Sequence, residues 1–194
     1  MSLPVTNIKP GELHVSEDPC RITTLLGSCV SVTVHNAAEG FGGMNHFMLP
    51  EVLPERQNGP RDFRFGDRAT RFMIDRMLEY DADRDHLDVK IYGGGRVVSA
   101  LKRADIGRSN VESAEQVLAE YGLTPSEKRV EGGSGLKLDF NTLTNEVQVE
   151  RISNSDQGNR ASGEAEEAAR RDESKIKEIL SGSDEGGIDF LGDD

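Results

Sequence analysis

The residue types best suited to chemistry in this chain are a cysteine and a histidine, Cys29 and His46. A thiolate is a strong nucleophile, and a neighbouring imidazole can act as its base. Cys29 follows Gly27-Ser28 and precedes a run in which Val30, Val32 and Val34 alternate with polar residues. Alternation along a strand places Cys29 on the polar face, opposite the valines. The pattern therefore predicts an accessible thiol at a strand start, beside backbone N–H groups.

A hairpin around the turn Asn36–Glu39 would bring the two residues together. A register in which paired position numbers sum to 75 places Cys29 directly opposite His46. Directly opposed residues have Cβ atoms about 4.5–5.5 Å apart. One extra residue at Gly42-Gly43 would turn His46 to the other face. The alternative interpretation is a buried cysteine and a strand-end histidine that hydrogen-bonds a loop.

Charge and composition exclude several classes of protein. The chain has 194 residues, 35% hydrophobic and 30% charged, and a net charge of −12. Residues 1–152 carry −5 of this charge, and residues 153–194 carry −7. This balance argues against nucleic acid and against anionic membrane surfaces as partners. No segment approaches the ~18 apolar residues of a membrane helix, the start lacks a secretory signal, and two cysteines form no disulfide framework. We expect a cytoplasmic protein without a cofactor or metal site.

The distribution of apolar residues divides the chain into a folded body, residues 1–152, and an acidic tail, residues 153–194. The tail has too few apolar residues to offset ordering entropy, so we expect it to be largely disordered, with a short helix at about 165–180. The residue pattern of the body predicts two helices, one over 65–80 and one from Ser109 to about Gly122. It also predicts strands over 21–26, 29–35, 41–49 and 87–92 and around 136–140 and 147–149. The predicted fold class is α/β, a layered α/β sandwich with mostly antiparallel strands.

Two longer segments carry a family resemblance. They are TTLLGSCV, residues 23–30, and GGMNHFMLP, residues 42–50. Together with VKIYGGG at 89–95 and IGRSN at 106–110, they resemble the CheD family of chemoreceptor glutamine deamidases. The resemblance spans about Val5 to Ile152. Two positions depart from the family pattern, Ser109 and Ser134, and both lie outside the triad.

The resemblance implies a Cys–His–Thr triad. Cys29 is then the nucleophile and His46 the base. Thr23, six places before the cysteine, is the third member, and its neighbour Thr24 is excluded. Backbone N–H groups of Ser28 and Cys29 would stabilise the oxyanion. The implied reaction converts a glutamine side chain to glutamate through a Cys29 thioester, with release of ammonia.

The resemblance also implies partners. The expected substrates are methyl-accepting chemotaxis receptors. The rival hypothesis is a regulatory module that binds and stimulates a CheC-type phosphatase, which needs the surface of the fold but no thiolate. A thiol hydrolase acting on an unrelated amide is a third possibility.

Overall fold

The computed structural model describes residues 2–51, 62–95, 106–152, 174–175 and 178–179. Its strands are β1 Val5–Asn7, β2 Leu13–Ser16, β3 Arg21–Leu26, β4 Val30–Asn36, β5 Phe41–Asn45, β6 Leu87–Gly93, β7 Glu127–Val130, β8 Gly135–Asn141 and β9 Glu146–Ile152. The helices are α1 Gly66–Tyr80 and α2 Ile106–Glu120, and a 3₁₀ turn spans Arg84–His86. Among these residues, no helix is both long and apolar enough to cross a membrane.

The strands form two sheets. One has four strands in the order β1-β3-β8-β9, and the other has five in the order β2-β5-β4-β6-β7. Neighbouring strands are antiparallel except for the pairs β1–β3 and β6–β7. The prediction of mostly antiparallel strands is confirmed.

Side-chain alternation along β4 explains how the layers stack. Val30, Val32 and Val34 form one apolar cluster with side chains of α1 and α2. The opposite face of the five-stranded sheet, with Cys29 and Met44, packs against the four-stranded sheet. The layers are therefore helices, five-stranded sheet and four-stranded sheet. This arrangement confirms the predicted layered α/β sandwich with two main helices.

The two helices differ in how well the sequence located them. On α1, Ala69, Met73 and Met77 repeat every four residues and are fully buried, as a helix with one apolar face requires. This helix begins at Gly66, one residue after its predicted start. Helix α2 begins at Ile106, one turn before the predicted start. Ser109, the predicted first residue, therefore lies inside the helix, and the predicted start is wrong.

The described residues of the tail are helical. They are 174–175 and 178–179, within the helix predicted at 165–180. The rest of the tail lies outside the described residues, so its predicted disorder stays a prediction. Strand β9 ends at Ile152, the last residue of the predicted body, and the division into body and tail also stays a prediction.

Candidate active site

The register of the β4–β5 hairpin differs from the predicted one. Thr33 pairs with Met44, and the isolated bridge between Val30 and Phe47 continues the same register. Paired position numbers therefore sum to 77 instead of 75. The cause is the turn, where the side chain of Asn36 accepts hydrogen bonds from the N–H groups of Ala38 and Glu39, so that Asn36 pairs with Phe41.

The shift by two residues preserves the face. In the observed register Cys29 lies opposite Met48, and His46 lies opposite Ser31. Continued beyond the Val30–Phe47 bridge, this register makes Cys29 and His46 diagonal positions, which in a regular antiparallel pair lie about 7–8 Å apart. The pairing from Thr33 to Asn36 skips no residue, so Gly42-Gly43 form no bulge. The register contradicts direct opposition of Cys29 and His46, whereas their shared face stays a prediction.

Burial is the second difference from the prediction. Cys29 is 0% exposed and His46 is 1% exposed. The polar face of β4 does not point to solvent, because the four-stranded sheet covers it with Ile22, Leu26 and Leu138. The expectation of an accessible thiol is therefore wrong. The alternative interpretation, a buried cysteine, describes Cys29, but His46 bonds a strand side chain, not a loop.

That strand side chain is Thr24. Its hydroxyl lies 2.8 Å from Nδ1 of His46 and donates to the carbonyl oxygen of Ile8, also at 2.8 Å. A hydroxyl has one proton, so it must accept from the imidazole. Nδ1 of His46 therefore carries the proton, and the lone pair lies on Nε2.

Thr23 lies on the other side of β3 and is not in the site. Successive side chains of a strand alternate, and Ile22, Thr24 and Leu26 are the buried members of β3. The hydroxyl of Thr23 instead accepts a hydrogen bond from Asn7 Nδ2 at 3.0 Å. Of the two adjacent threonines, the one that contacts His46 is therefore Thr24 and not the predicted Thr23.

The environment keeps the imidazole neutral. Burial, and secondarily the positive charge of Lys175, lowers the pKa of His46 to about 3. Its Nε2 atom is buried and has no hydrogen-bond partner among the described residues. At neutral pH this atom is an available base on the face that also carries Cys29.

Three hydrogen bonds hold the backbone before and at the cysteine. Gly95 N–H donates to the carbonyl of Gly27 at 3.0 Å, and Gly94 N–H donates to that of Cys29 at 2.8 Å. The carbonyl of Ser28 accepts from the Nδ2 group of Asn110 at 3.3 Å. Carbonyl and N–H point in opposite directions across a trans peptide. The N–H groups of Ser28 and Cys29 therefore point away from Gly95 and Asn110.

Asn110 links the two halves of the site, and the sequence analysis missed its role. Its Nδ2 group also donates to the carbonyl of Met48 at 2.9 Å, two residues beyond His46. The side chain, fully buried in α2, thus bonds the segment of the cysteine and the segment of the histidine. The signal available in the sequence was a polar residue among apolar ones on the buried face of α2.

The glycines at the end of β6, residues 93–95, bring the backbone after this strand close to the cysteine. A Cβ atom on Gly93 would lie 2.3 Å from the carbonyl oxygen of Cys29, and its φ is +105°. Only glycine fits such a position. The backbone at Gly93 therefore approaches that of Cys29 closely. A cavity of about 390 Å³ lies beside this turn, lined by Lys128, Arg129 and Arg151 among others, and its lining includes neither Cys29 nor His46.

A thiol and an oriented, neutral imidazole on one face are the elements of a cysteine-dependent hydrolase. In the described ranges, no group of three or more His, Cys, Asp or Glu side chains is arranged to hold a metal ion.

Comparison with known sequences agrees with that class. The family described as "CheD chemotactic sensory transduction" matches residues 48–151. A protein of Laribacter hongkongensis named "Probable chemoreceptor glutamine deamidase CheD" is 33% identical over 151 residues, 77% of this chain and 73% of the relative. A Caulobacter protein of the same name is 37% identical over 135 residues, covering 69% and 70%. The Geobacter sulfurreducens protein "Probable chemoreceptor glutamine deamidase CheD 2" is 37% identical over 153 residues, covering 77% and 91%. The chain belongs to the CheD family.

Proposed function

We propose that the protein is a glutamine deamidase of chemoreceptors, with Cys29 as nucleophile, His46 as general base and acid, and Thr24 as the residue that positions the imidazole. The observation that carries this proposal is the hydrogen bond between Thr24 Oγ1 and His46 Nδ1. It leaves the basic Nε2 atom on the face shared with Cys29. The names of the relatives supply the substrate class.

In the first half-reaction, Nε2 of His46 takes the thiol proton of Cys29 as the sulfur attacks the carbon of the glutamine carboxamide. The C=O electron pair moves to oxygen and gives a tetrahedral oxyanion. The N–H groups of Ser28 and Cys29 are the proposed donors to it, and one such donor is worth about 3 kcal/mol in the transition state. His46 then protonates the leaving nitrogen, the C–N bond breaks, and ammonia leaves a Cys29 thioester.

In the second half-reaction, His46 takes a proton from water, and the hydroxide attacks the thioester carbon. The C–S bond breaks, the thiolate recovers its proton from the imidazolium, and the side chain is released as glutamate. The carboxylic acid gives up its proton, which ammonia takes up, so the sum is glutamine plus water giving glutamate plus ammonium. Each turnover adds one negative charge to the receptor.

Burial determines the protonation states of Cys29 and His46 before the reaction. A preformed thiolate–imidazolium pair would place two charges in an apolar site, which is costly. The lowered pKa of His46 indicates that the resting imidazole is neutral. The proton therefore moves during attack, when the developing oxyanion and leaving group provide compensating charge.

The chain offers a matched control for the nucleophile, because its other cysteine, Cys20, is also buried and free and lies directly before β3. A receptor fragment is incubated with wild type, Cys29→Ala and Cys20→Ala, and Gln-to-Glu conversion is mapped by mass spectrometry. We expect Cys29→Ala to abolish conversion and Cys20→Ala to retain it. Conversion by Cys29→Ala at the wild-type rate would contradict the proposal.

The same variants test the binding-module alternative. That role, binding and stimulating a CheC-type phosphatase, requires equal binding by wild type and Cys29→Ala in a pull-down, together with no ammonia release by either protein. A cytoplasmic location belongs to the proposal in both cases, since receptor signalling regions and their regulators meet there.

A further inference from the structure

The cavity of about 390 Å³ beside the cysteine turn is lined by the edge strands of both sheets and by the loop 132–134. Strand β7 is the last strand of the five-stranded sheet, and β9 is the last strand of the four-stranded sheet. Leu136 and Val149 also line the cavity, and both pack against the apolar cluster that contains Cys29. The cavity therefore lies at the opening between the two sheet layers.

Each sheet contributes one arginine to this lining. Arg129 of β7 pairs with Tyr92, which belongs to the cluster between the sheets. Arg151 of β9 pairs with Leu136, which packs against the same cluster. Paired residues of neighbouring strands direct their side chains to the same face of the sheet. Both arginines therefore lie on the inner faces of their sheets, at the edge where the cavity opens.

The two guanidinium groups retain donors for a ligand. Arg151 forms no side-chain hydrogen bond or ion pair with any residue that the structure describes. Arg129 is bonded through Nε to Glu127 at 2.6 Å, which leaves its two terminal NH₂ groups. Lys128 contributes less, because its ammonium group is bonded to Glu115 of α2 at 2.7 Å. In a chain of net charge −12, the described lining thus has three basic residues and no acidic one.

The loop after β7 adds backbone donors to the cavity. Glu131 has a φ of +60°, and its N–H group donates to the carbonyl of Gly93 at 3.0 Å. The next three N–H groups, of Gly132, Gly133 and Ser134, form no hydrogen bond within the described ranges. A Cβ atom on either glycine would meet no atom within 4 Å, so the space beside them is open. Successive free N–H groups beside cationic side chains are a common arrangement for binding anions.

The cavity and the cysteine share the turn after β6. Gly93 and Gly95 line the cavity. The N–H group of Gly95 holds the carbonyl of Gly27, and that of Gly94 holds the carbonyl of Cys29. A ligand in the cavity therefore lies beside the backbone that carries the proposed nucleophile.

We propose that this cavity binds carboxylate groups of an acidic receptor segment that neighbours the modified glutamine. The inference rests on the proposed function for the identity of the substrate. Its donors come from two sheets and a loop, so they suit several separated carboxylates better than one compact phosphate group. Bidentate pairing with arginine favours carboxylates over neutral side chains. The enzyme then selects glutamines that have acidic neighbours.

The binding test uses the full chain and a fluorescein-labelled peptide of Glu-Glu-Ser repeats, with a peptide of Thr-Thr-Ser repeats as its neutral twin. Neither peptide contains glutamine, so binding is measured without conversion. Fluorescence anisotropy gives Kd at low salt. We expect wild type to bind the acidic peptide about 10-fold more tightly than the neutral one. Arg151→Glu should raise Kd for the acidic peptide about 10-fold, because it replaces attraction by repulsion.

Lys137→Glu is the matched control, since it makes the same change of charge on the outward face of the same sheet. Lys137 follows Leu136 directly and lies 3.8 Å from Glu150, away from the cavity lining. Its Kd should stay within about 2-fold of the wild-type value. Equal binding of the two peptides by wild type overturns the proposal. Equal weakening by Arg151→Glu and Lys137→Glu also overturns it, because net charge alone would then determine binding.

Competition by small anions distinguishes carboxylates from phosphate. Sodium acetate and sodium phosphate are added to the complex of wild type and the acidic peptide at the same ionic strength. We expect both salts to displace the peptide. Displacement by phosphate but not by acetate would assign the cavity to a phosphate group and overturn the proposal.

Deamidation of a receptor fragment separates this inference from the proposed function. Arg151→Glu should raise KM about 10-fold and leave kcat near the wild-type value, because the cavity binds the substrate away from the reacting atoms. If Arg151→Glu weakens binding of the acidic peptide but wild type does not deamidate, the anion site is upheld and the proposed function fails. If wild type deamidates and Arg151→Glu changes neither Kd nor KM, the proposed function is upheld and the anion site is refuted.

Discussion

The two adjacent threonines of β3 provide a sharp test of the site. Thr24→Val replaces the hydroxyl by a methyl group of similar size. It leaves two buried groups without partners, the Nδ1 proton of His46 and the carbonyl oxygen of Ile8. Thr23→Val makes the same chemical change one residue earlier, where the loss is an exposed hydrogen bond from Asn7. The pair of variants compares two faces of one strand.

The magnitude follows from the charge that His46 acquires during the reaction. A hydrogen bond to a neutral group contributes about 1 kcal/mol and one to a charged group about 2–3 kcal/mol. The Thr24 hydroxyl therefore stabilises the imidazolium more than the resting imidazole, by about 1–2 kcal/mol. We expect Thr24→Val to lower kcat about 5- to 30-fold with little change in KM. Thr23→Val should stay within about 2-fold of wild type.

The assay is steady-state ammonia release from a receptor fragment, with circular dichroism to confirm folding of each variant. Thr24→Ser keeps the hydroxyl and should restore most of kcat, which a role in packing alone would not produce. A larger loss of kcat in Thr23→Val than in Thr24→Val would refute the reasoning, because the imidazole would then be positioned from the other face of β3.

Two further predictions concern stability. The pKa of His46 is lowered from 6.5 to about 3 in the folded protein, so below pH 6.5 the unfolded state binds a proton that the folded state does not. Between about pH 6.5 and pH 5, the free energy of unfolding of wild type should fall by about 2 kcal/mol, and that of His46→Gln should not show this loss. Urea denaturation measures both. Identical pH dependences of the two proteins would contradict the prediction. Asn110→Ala removes the donor to the carbonyls of Ser28 and Met48 and should lower the free energy of unfolding by about 2–3 kcal/mol. The control is Ser109→Ala at the half-exposed neighbour, which should lower it by less than about 0.5 kcal/mol. Equal losses in the two variants would show that the two hydrogen bonds contribute nothing.

The longer elements were predictable because their side-chain periods are unambiguous. The strand over 21–26 has the predicted bounds, and the strand over 87–92 is extended by one residue. Strands β1, β2 and β7, of three or four residues, were missed. Such segments are too short for a period to be counted, and they form because a sheet edge supplies hydrogen-bond partners. Tertiary context, not local pattern, therefore decides them.

The errors at the site have a common origin. The valine face of β4 was identified correctly, but its polar face was assigned to solvent, whereas the second sheet covers it. A single strand cannot indicate how many layers lie beside it. The choice of Thr23 over Thr24 was avoidable, because Arg21 and Thr23 share one face of β3 while Ile22, Thr24 and Leu26 share the buried one. The alternation of residues along β3 therefore indicates Thr24, whereas the distance from the cysteine in the sequence had indicated Thr23.

The enclosed position of the pair accounts for the other features of the site. The Nδ1 proton of an imidazole buried between two sheets needs a partner, because a buried N–H group left unpaired is costly, and Thr24 is that partner. The same burial holds the pKa of His46 well below its usual value, so Nε2 is unprotonated at neutral pH. In the proposed reaction, a glutamine side chain must therefore reach a thiol that is fully buried in the structure.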